Sequence, residues 1–172
     1  MLTTLLQRTF WFVLLLMLQV LVFNHIHIFG YATPMPFIYF LLILHSETPR
    51  WVYVSLGFCM GLAVDIFSNT IGESAGAMTF LGLITPNLLN AFGPSDKGDD
   101  GYMPSAQSMQ WGRFLRYVLS ATAIYVTIFF VMECFSLFYL PTLLIHIVAS
   151  VALTLFVIIA IERIRNRGAA AN

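Results

Sequence analysis

Residues Thr9–Ser46 read TFWFVLLLMLQVLVFNHIHIFGYATPMPFIYFLLILHS, thirty-eight positions without one Asp, Glu, Lys or Arg. A membrane-spanning helix needs about 20 mainly apolar residues, because the hydrocarbon layer is about 30 Å thick and each residue rises about 1.5 Å. The run is long enough for two crossings, and the turn signal Gly30-Tyr-Ala-Thr-Pro-Met-Pro36 divides it. It predicts one helix over 8–28 and a second over 33–46, with Pro34 and Pro36 at a helix start. The second is short for a span. The first extends well past the apolar core of a secretory signal and no small-residue cleavage site follows, so it reads as a retained helix.

The same reading continues outward from this stretch. A third helix is expected over 51–67 after Thr48-Pro49-Arg50, a fourth over 77–91 with Pro86 as a kink, a fifth over 111–135 and a sixth over 140–161. Ser68–Gly76 is a polar connection. Residues 94–110, rich in Gly, Pro and small polar side chains, predict a flexible cytoplasmic loop, and residues 162–172 a basic cytoplasmic tail. The chain is thus expected to be all-α, a single domain over 1–172 folded as a compact bundle of about six transmembrane helices.

Composition agrees with that architecture. The 172 residues are 59% hydrophobic and 9% charged, with a mean hydropathy of +0.86, whereas a soluble domain carries roughly 25% charged residues. Eight Lys+Arg balance eight Asp+Glu, which leaves no basic field for nucleic acid. Cys59 and Cys134 form neither a disulfide framework nor a zinc spacing. With six crossings, all eight basic residues fall on one side, so both termini are expected to be cytoplasmic.

A few polar residues interrupt the spans. Gly57, Gly61 and Asp65 lie at i, i+4 and i+8, one stripe of a helix. Glycines at this spacing let a second helix, from this chain or a partner, approach closely in lipid. Asp65 reads either as a ligand or proton site or as a carboxylate that caps a neighbouring segment near the outer end. The second reading is preferred, because a lone carboxylate needs only a buried donor. His25, His27, Glu73, Glu133 and His146 could share the outer half of the bundle, as a polar cluster able to bind zinc or as interfacial side chains. No dense metal motif such as H-E-x-x-H supports zinc, and the interfacial reading is preferred. Neither a G-x-S-x-G elbow nor a phosphate-binding glycine loop occurs. No enzymatic activity and no cofactor are expected.

The run Phe23-Asn-His-Ile-His-Ile-Phe-Gly-Tyr-Ala-Thr-Pro34, then Thr48-Pro-Arg50, Gly61-Leu-Ala-Val-Asp-Ile-Phe-Ser-Asn-Thr70 and Trp111-Gly-Arg-Phe-Leu-Arg-Tyr117, resembles the rod shape-determining MreD family over almost the entire chain. The chain departs from the family pattern at Ile84-Thr85-Pro86, where a basic residue is expected before the proline. The resemblance implies a multi-pass protein of the bacterial inner membrane, without catalytic residues, that serves the cell-wall elongation machinery. It implies as partners an MreC-like bitopic protein, a RodA-like polymerase and a class B penicillin-binding protein, with MreB-like filaments as a further, indirect partner. The implied fold is similar to the vitamin-binding S components of energy-coupling-factor transporters. A small-molecule carrier subunit is therefore the alternative.

Overall fold

The computed structural model describes residues 2–23, 33–70, 72–94, 101–133 and 140–169, with the side chains of 2–5, 140–142 and 167–169 left out. Among the described residues it is all-helical, with six α-helices, one 3-10 turn and no strand. They are α1 (Leu2–Leu21), the 3-10 turn Pro36–Ile38, α2 (Tyr39–Leu42), α3 (Arg50–Ser68), α4 (Glu73–Phe92), α5 (Trp111–Glu133) and α6 (Leu140–Ala169). Four are long and apolar enough to cross a membrane: α3, α4, α5 and the Leu143–Asn166 part of α6; Leu6–Leu21 of α1 is a shorter apolar helix. Their outward faces are apolar, with Trp51 and Ile66 of α3 and Phe156 of α6 about 70% exposed. These are faces that suit lipid and not water.

The second expected helix is the main correction. In place of a helix over 33–46 the chain forms a 3-10 turn and a single α turn, and Met35 through Leu44 are buried among the other helices. Two prolines contribute to the non-helical backbone at the start of the segment. Neither Pro34 nor Pro36 has an N–H to enter a helical ladder, and each restricts the residue before it. Irregular backbone survives at such depth only where protein satisfies its polar groups, and side chains from distant helices do so here. Thr33 N–H donates to Ser150 Oγ (3.1 Å), Met35 N–H to Thr154 Oγ1 (3.0 Å), and Gln19 Nε2 to the Pro34 carbonyl (3.4 Å). The Tyr39 hydroxyl donates to Glu162. Thr33, Met35 and Tyr39 therefore meet Ser150, Thr154 and Glu162 in order. The segment runs alongside α6 in the same direction and antiparallel to α1.

The remaining ends differ from expectation by up to about eight residues: α1 runs from Leu2 to Leu21 in place of 8–28, with 24–28 outside the described residues, and the ends of α4 and α6 have identifiable causes. α4 begins at Glu73, not 77, because Asp65 satisfies its first amides. The helix continues through Pro86. α6 continues past 161 to Ala169, since Glu162 is neutralised inside the fold. The second half of the loop expected at 94–110 is held to the bundle. Ser46 N–H donates to the Tyr102 carbonyl and Tyr102 N–H to Ser46 Oγ, both at 2.9 Å, while Pro104 and Met109 are buried. Residues 95–100, with Asp96, Lys97, Asp99 and Asp100, lie outside the described residues.

The six described arginines with placed side chains gather at one end of the bundle. Arg8 donates to Thr48, Arg50 to Asn87 at the end of α4, and Arg165 to the Pro104 carbonyl. Arg163 lies over the Trp111 ring at 5.8 Å, and Arg113 and Arg116 occupy the start of α5 beside Trp111.

Candidate functional site

Two polar centres mark the two ends of the molecule. At the end opposite the arginines, α3 closes with Asn69 in the left-handed region (φ 57°), and Gly72 enters α4 at φ 77°. Asn and Gly are the residues that tolerate this conformation. The tight reversal brings Asp65, 2% exposed, against the start of α4. Asp65 Oδ1 accepts from Thr70 Oγ1 (2.5 Å) and Ser74 N–H (3.0 Å), and Oδ2 from Ala75 N–H (2.8 Å). A helix start exposes unpaired amides and partial positive charge, and here a carboxylate from the neighbouring helix supplies the cap.

The glycines of the stripe set the distance at which this works. A Cβ on Gly57 would stand 2.6 Å from the Met78 carbonyl oxygen, and one on Gly61 would overlap the backbone of Ser74 and Ala75. Gly82 of α4 reciprocates against the Tyr53 carbonyl, also at 2.6 Å. Gly57, Gly61 and Asp65 thus lie on the α3 face that α4 of the same chain covers. The part of the stripe expected as a candidate partner contact is occupied from within.

Of the outer polar residues, Glu73 begins α4, Glu133 ends α5 and His146 lies on α6 with its ring 5.8 Å from Phe130. Glu133 lies within electrostatic reach of both Glu73 and His146. His25 and His27 lie outside the described residues. Among the described residues no three His, Cys, Asp or Glu side chains stand close enough to hold a metal ion. Cys59 is a free, exposed thiol on α3, and Cys134 is outside the described residues.

The second centre, at the arginine end, went unread in the sequence. Glu162 is fully buried. Besides the Tyr39 hydroxyl it accepts from Ala106 N–H (2.8 Å), Asn166 Nδ2 (3.2 Å) and Arg165, whose guanidinium is 3.0 Å from Oε2. Arg165 also covers the Tyr39 ring at 5.6 Å. One carboxylate therefore ties α6, α2 and the 101–110 segment together. A signal for it exists: Ser150, Thr154, Ile158 and Glu162 recur every fourth residue, and all four are fully buried. Nearby, burial pushes the Tyr102 phenol above its usual range.

Both buried carboxylates are saturated by donors of this chain, which makes them structural anchors. A shallow cleft at the arginine end, lined by Arg8, Trp11, Phe40, Ile43, Leu44 and His45, holds about 30 Å³ of free space. Comparison with protein-family models, with curated proteins and with solved structures finds no match for this chain.

Proposed function

We propose that this chain is a non-enzymatic scaffold subunit of the bacterial cell-wall elongation machinery, embedded in the inner membrane and required for rod shape. The resemblance to the MreD family motivates the reading. The observation that carries it is what the most distinctive part of that resemblance does. In Gly61–Thr70 the glycine admits α4, Asp65 caps it and Thr70 holds the carboxylate. The motif builds a helix pair and leaves no reactive group over, as suits a protein that works through its shape. What it offers outward is apolar helix faces, such as Trp51, Phe58, Leu62 and Ile66 along α3, on which membrane partners can pack.

In this reading the chain crosses the membrane six times, with the buried segment 33–48 as an unwound second crossing. The arginine end is cytoplasmic by the positive-inside rule, and both termini lie there. The partners are an MreC-like bitopic protein, a RodA-like polymerase and a class B penicillin-binding protein, with MreB-like filaments engaged through them.

Depletion in the host bacterium tests the claim. The expected result is rounding and widening of cells, with co-purification of an MreC-like bitopic protein from mildly solubilised membranes. Normal shape combined with loss of uptake of one vitamin-like solute overturns the scaffold in favour of a carrier.

A further inference from the structure

Arg8 stands apart from the other buried guanidinium in the molecule. Arg165 is neutralised by Glu162 at 3.0 Å. Arg8 is half-buried, and its one hydrogen bond is to the Thr48 hydroxyl at 3.3 Å; no carboxylate among the described residues lies within ion-pair distance of it. Glu47, the nearest acid in sequence to Thr48, is exposed and turns its backbone N–H toward His45 Nδ1. A guanidinium withdrawn from water favours an anion that can engage its planar donors, and phosphate fits that fork bidentately.

The surroundings of Arg8 say what carries the anion. It lines the small cleft together with Trp11, Phe40, Ile43, Leu44, His45 and Met103. The free space, about 30 Å³, is close to the share of one water in the liquid and too small for a separate solute. Beside it, α1 presents Leu6 and Phe10, each more than 60% exposed, toward the lipid side. A half-buried cation near the end of an apolar helix, beside side chains as exposed as Leu6 and Phe10, has the form of a headgroup seat.

We propose that this corner of the bundle binds one anionic phospholipid, its phosphate on Arg8 and its acyl chains against the exposed face of α1 beside Trp11. The seat lies at the arginine end and uses neither the Asp65 cap nor the Glu162 centre.

Trp11 reports the site directly. In a full-length variant carrying Trp51→Phe and Trp111→Phe, reconstituted in zwitterionic nanodiscs, its fluorescence is titrated with phosphatidylglycerol or phosphatidylcholine brominated near the headgroup. Phosphatidylglycerol should quench at about fivefold lower mole fraction, the preference one arginine confers near a membrane surface. Arg8→Gln should abolish the preference, Arg8→Lys should keep most of it, and an unchanged melting temperature in both shows that folding is intact. Equal quenching by the two lipids, or a preference that survives Arg8→Gln, overturns the proposal. Loss of the preference on adding millimolar inorganic phosphate overturns the lipid as occupant and leaves a free-anion site.

Discussion

Asp65 Oδ2 lies 2.8 Å from the backbone nitrogen of Ala75, so a side chain of one helix closes the first turn of the next. Most helices are capped by a residue immediately before them. Here the residue in that place is Gly72, which has no side chain to offer, and the cap comes from seven residues further back. The pairing fixes the turn between α3 and α4 and the register of the whole seam.

This geometry sharpens what substitution at Asp65 should do. An amide is close to a carboxylate in shape and still accepts a hydrogen bond. The structure shows both carboxylate oxygens in use. An amide keeps one acceptor and turns an NH2 toward a backbone N–H. Asp65→Asn should therefore destabilise the protein by about 1–3 kcal/mol, the cost of one unsatisfied buried group, and Asp65→Ala by more. Thermal unfolding in detergent micelles checks the order; an Asn variant as stable as the parent shows that the turn holds without the second oxygen.

The glycines divide into those the fold needs and those it does not. Gly61→Ala should be severe, because its Cβ meets helix backbone that can yield only if α3 and α4 separate. The expected cost is about 1–3 kcal/mol or more. Gly76→Ala should be milder, since its Cβ meets the flexible end of Met132. Gly112→Ala, which faces open space in the first turn of α5, should be neutral or stabilising by about 0.5–1 kcal/mol. Melting temperatures of the three variants, measured side by side, give the ranking directly.

What was legible in the sequence was local. Apolar stretches bounded by charge placed α3 to α5 to within a few residues but stopped α6 short of its end at Ala169, and the four-residue spacing of Gly57, Gly61 and Asp65 put them on one face. The unwound segment was hidden because its reason is not local. Pro34 and Pro36 are equally good at a helix start, and what decides against one is a set of hydroxyls on α6 more than 110 positions away. Glu162 was hidden for a related reason. Beside the three arginines that follow it, it reads as a surface charge, and only its spacing from Ser150 and Thr154 reveals a buried stripe.

Thr154 should matter through the backbone it serves. Its hydroxyl is the partner of the Met35 N–H, one of the groups that no helix ladder satisfies. Thr154→Val keeps the shape of the side chain and removes the acceptor, leaving a buried N–H unpaired at a cost of about 1–3 kcal/mol. Thr154→Ser should restore most of the stability. Hydrogen exchange should show residues 33–39 losing protection in the Val variant while α3 and α4 do not change. Uniform loss across the molecule would mean that the segment and the helices unfold together.

Glu162 gives the strongest test of how the arginine end is held. Removing it leaves the Arg165 guanidinium buried without its partner and frees the Tyr39 hydroxyl, the Ala106 amide and Asn166 at once. Breaking a buried ion pair from one side costs about 3–5 kcal/mol, so Glu162→Ala should be among the most destabilising single changes in the chain. Its effect should also be local first. The 101–110 segment, tied to α6 through Ala106 and Pro104, should become sensitive to protease added from the arginine side, while the Asp65 end keeps its protection. The double change of Glu162→Leu with Arg165→Leu removes both charges and should recover part of the loss, because no uncompensated ion remains. If the double variant is no better than Glu162→Ala, the hydrogen bonds to Tyr39 and Ala106 hold this end, and the ion pair with Arg165 is secondary.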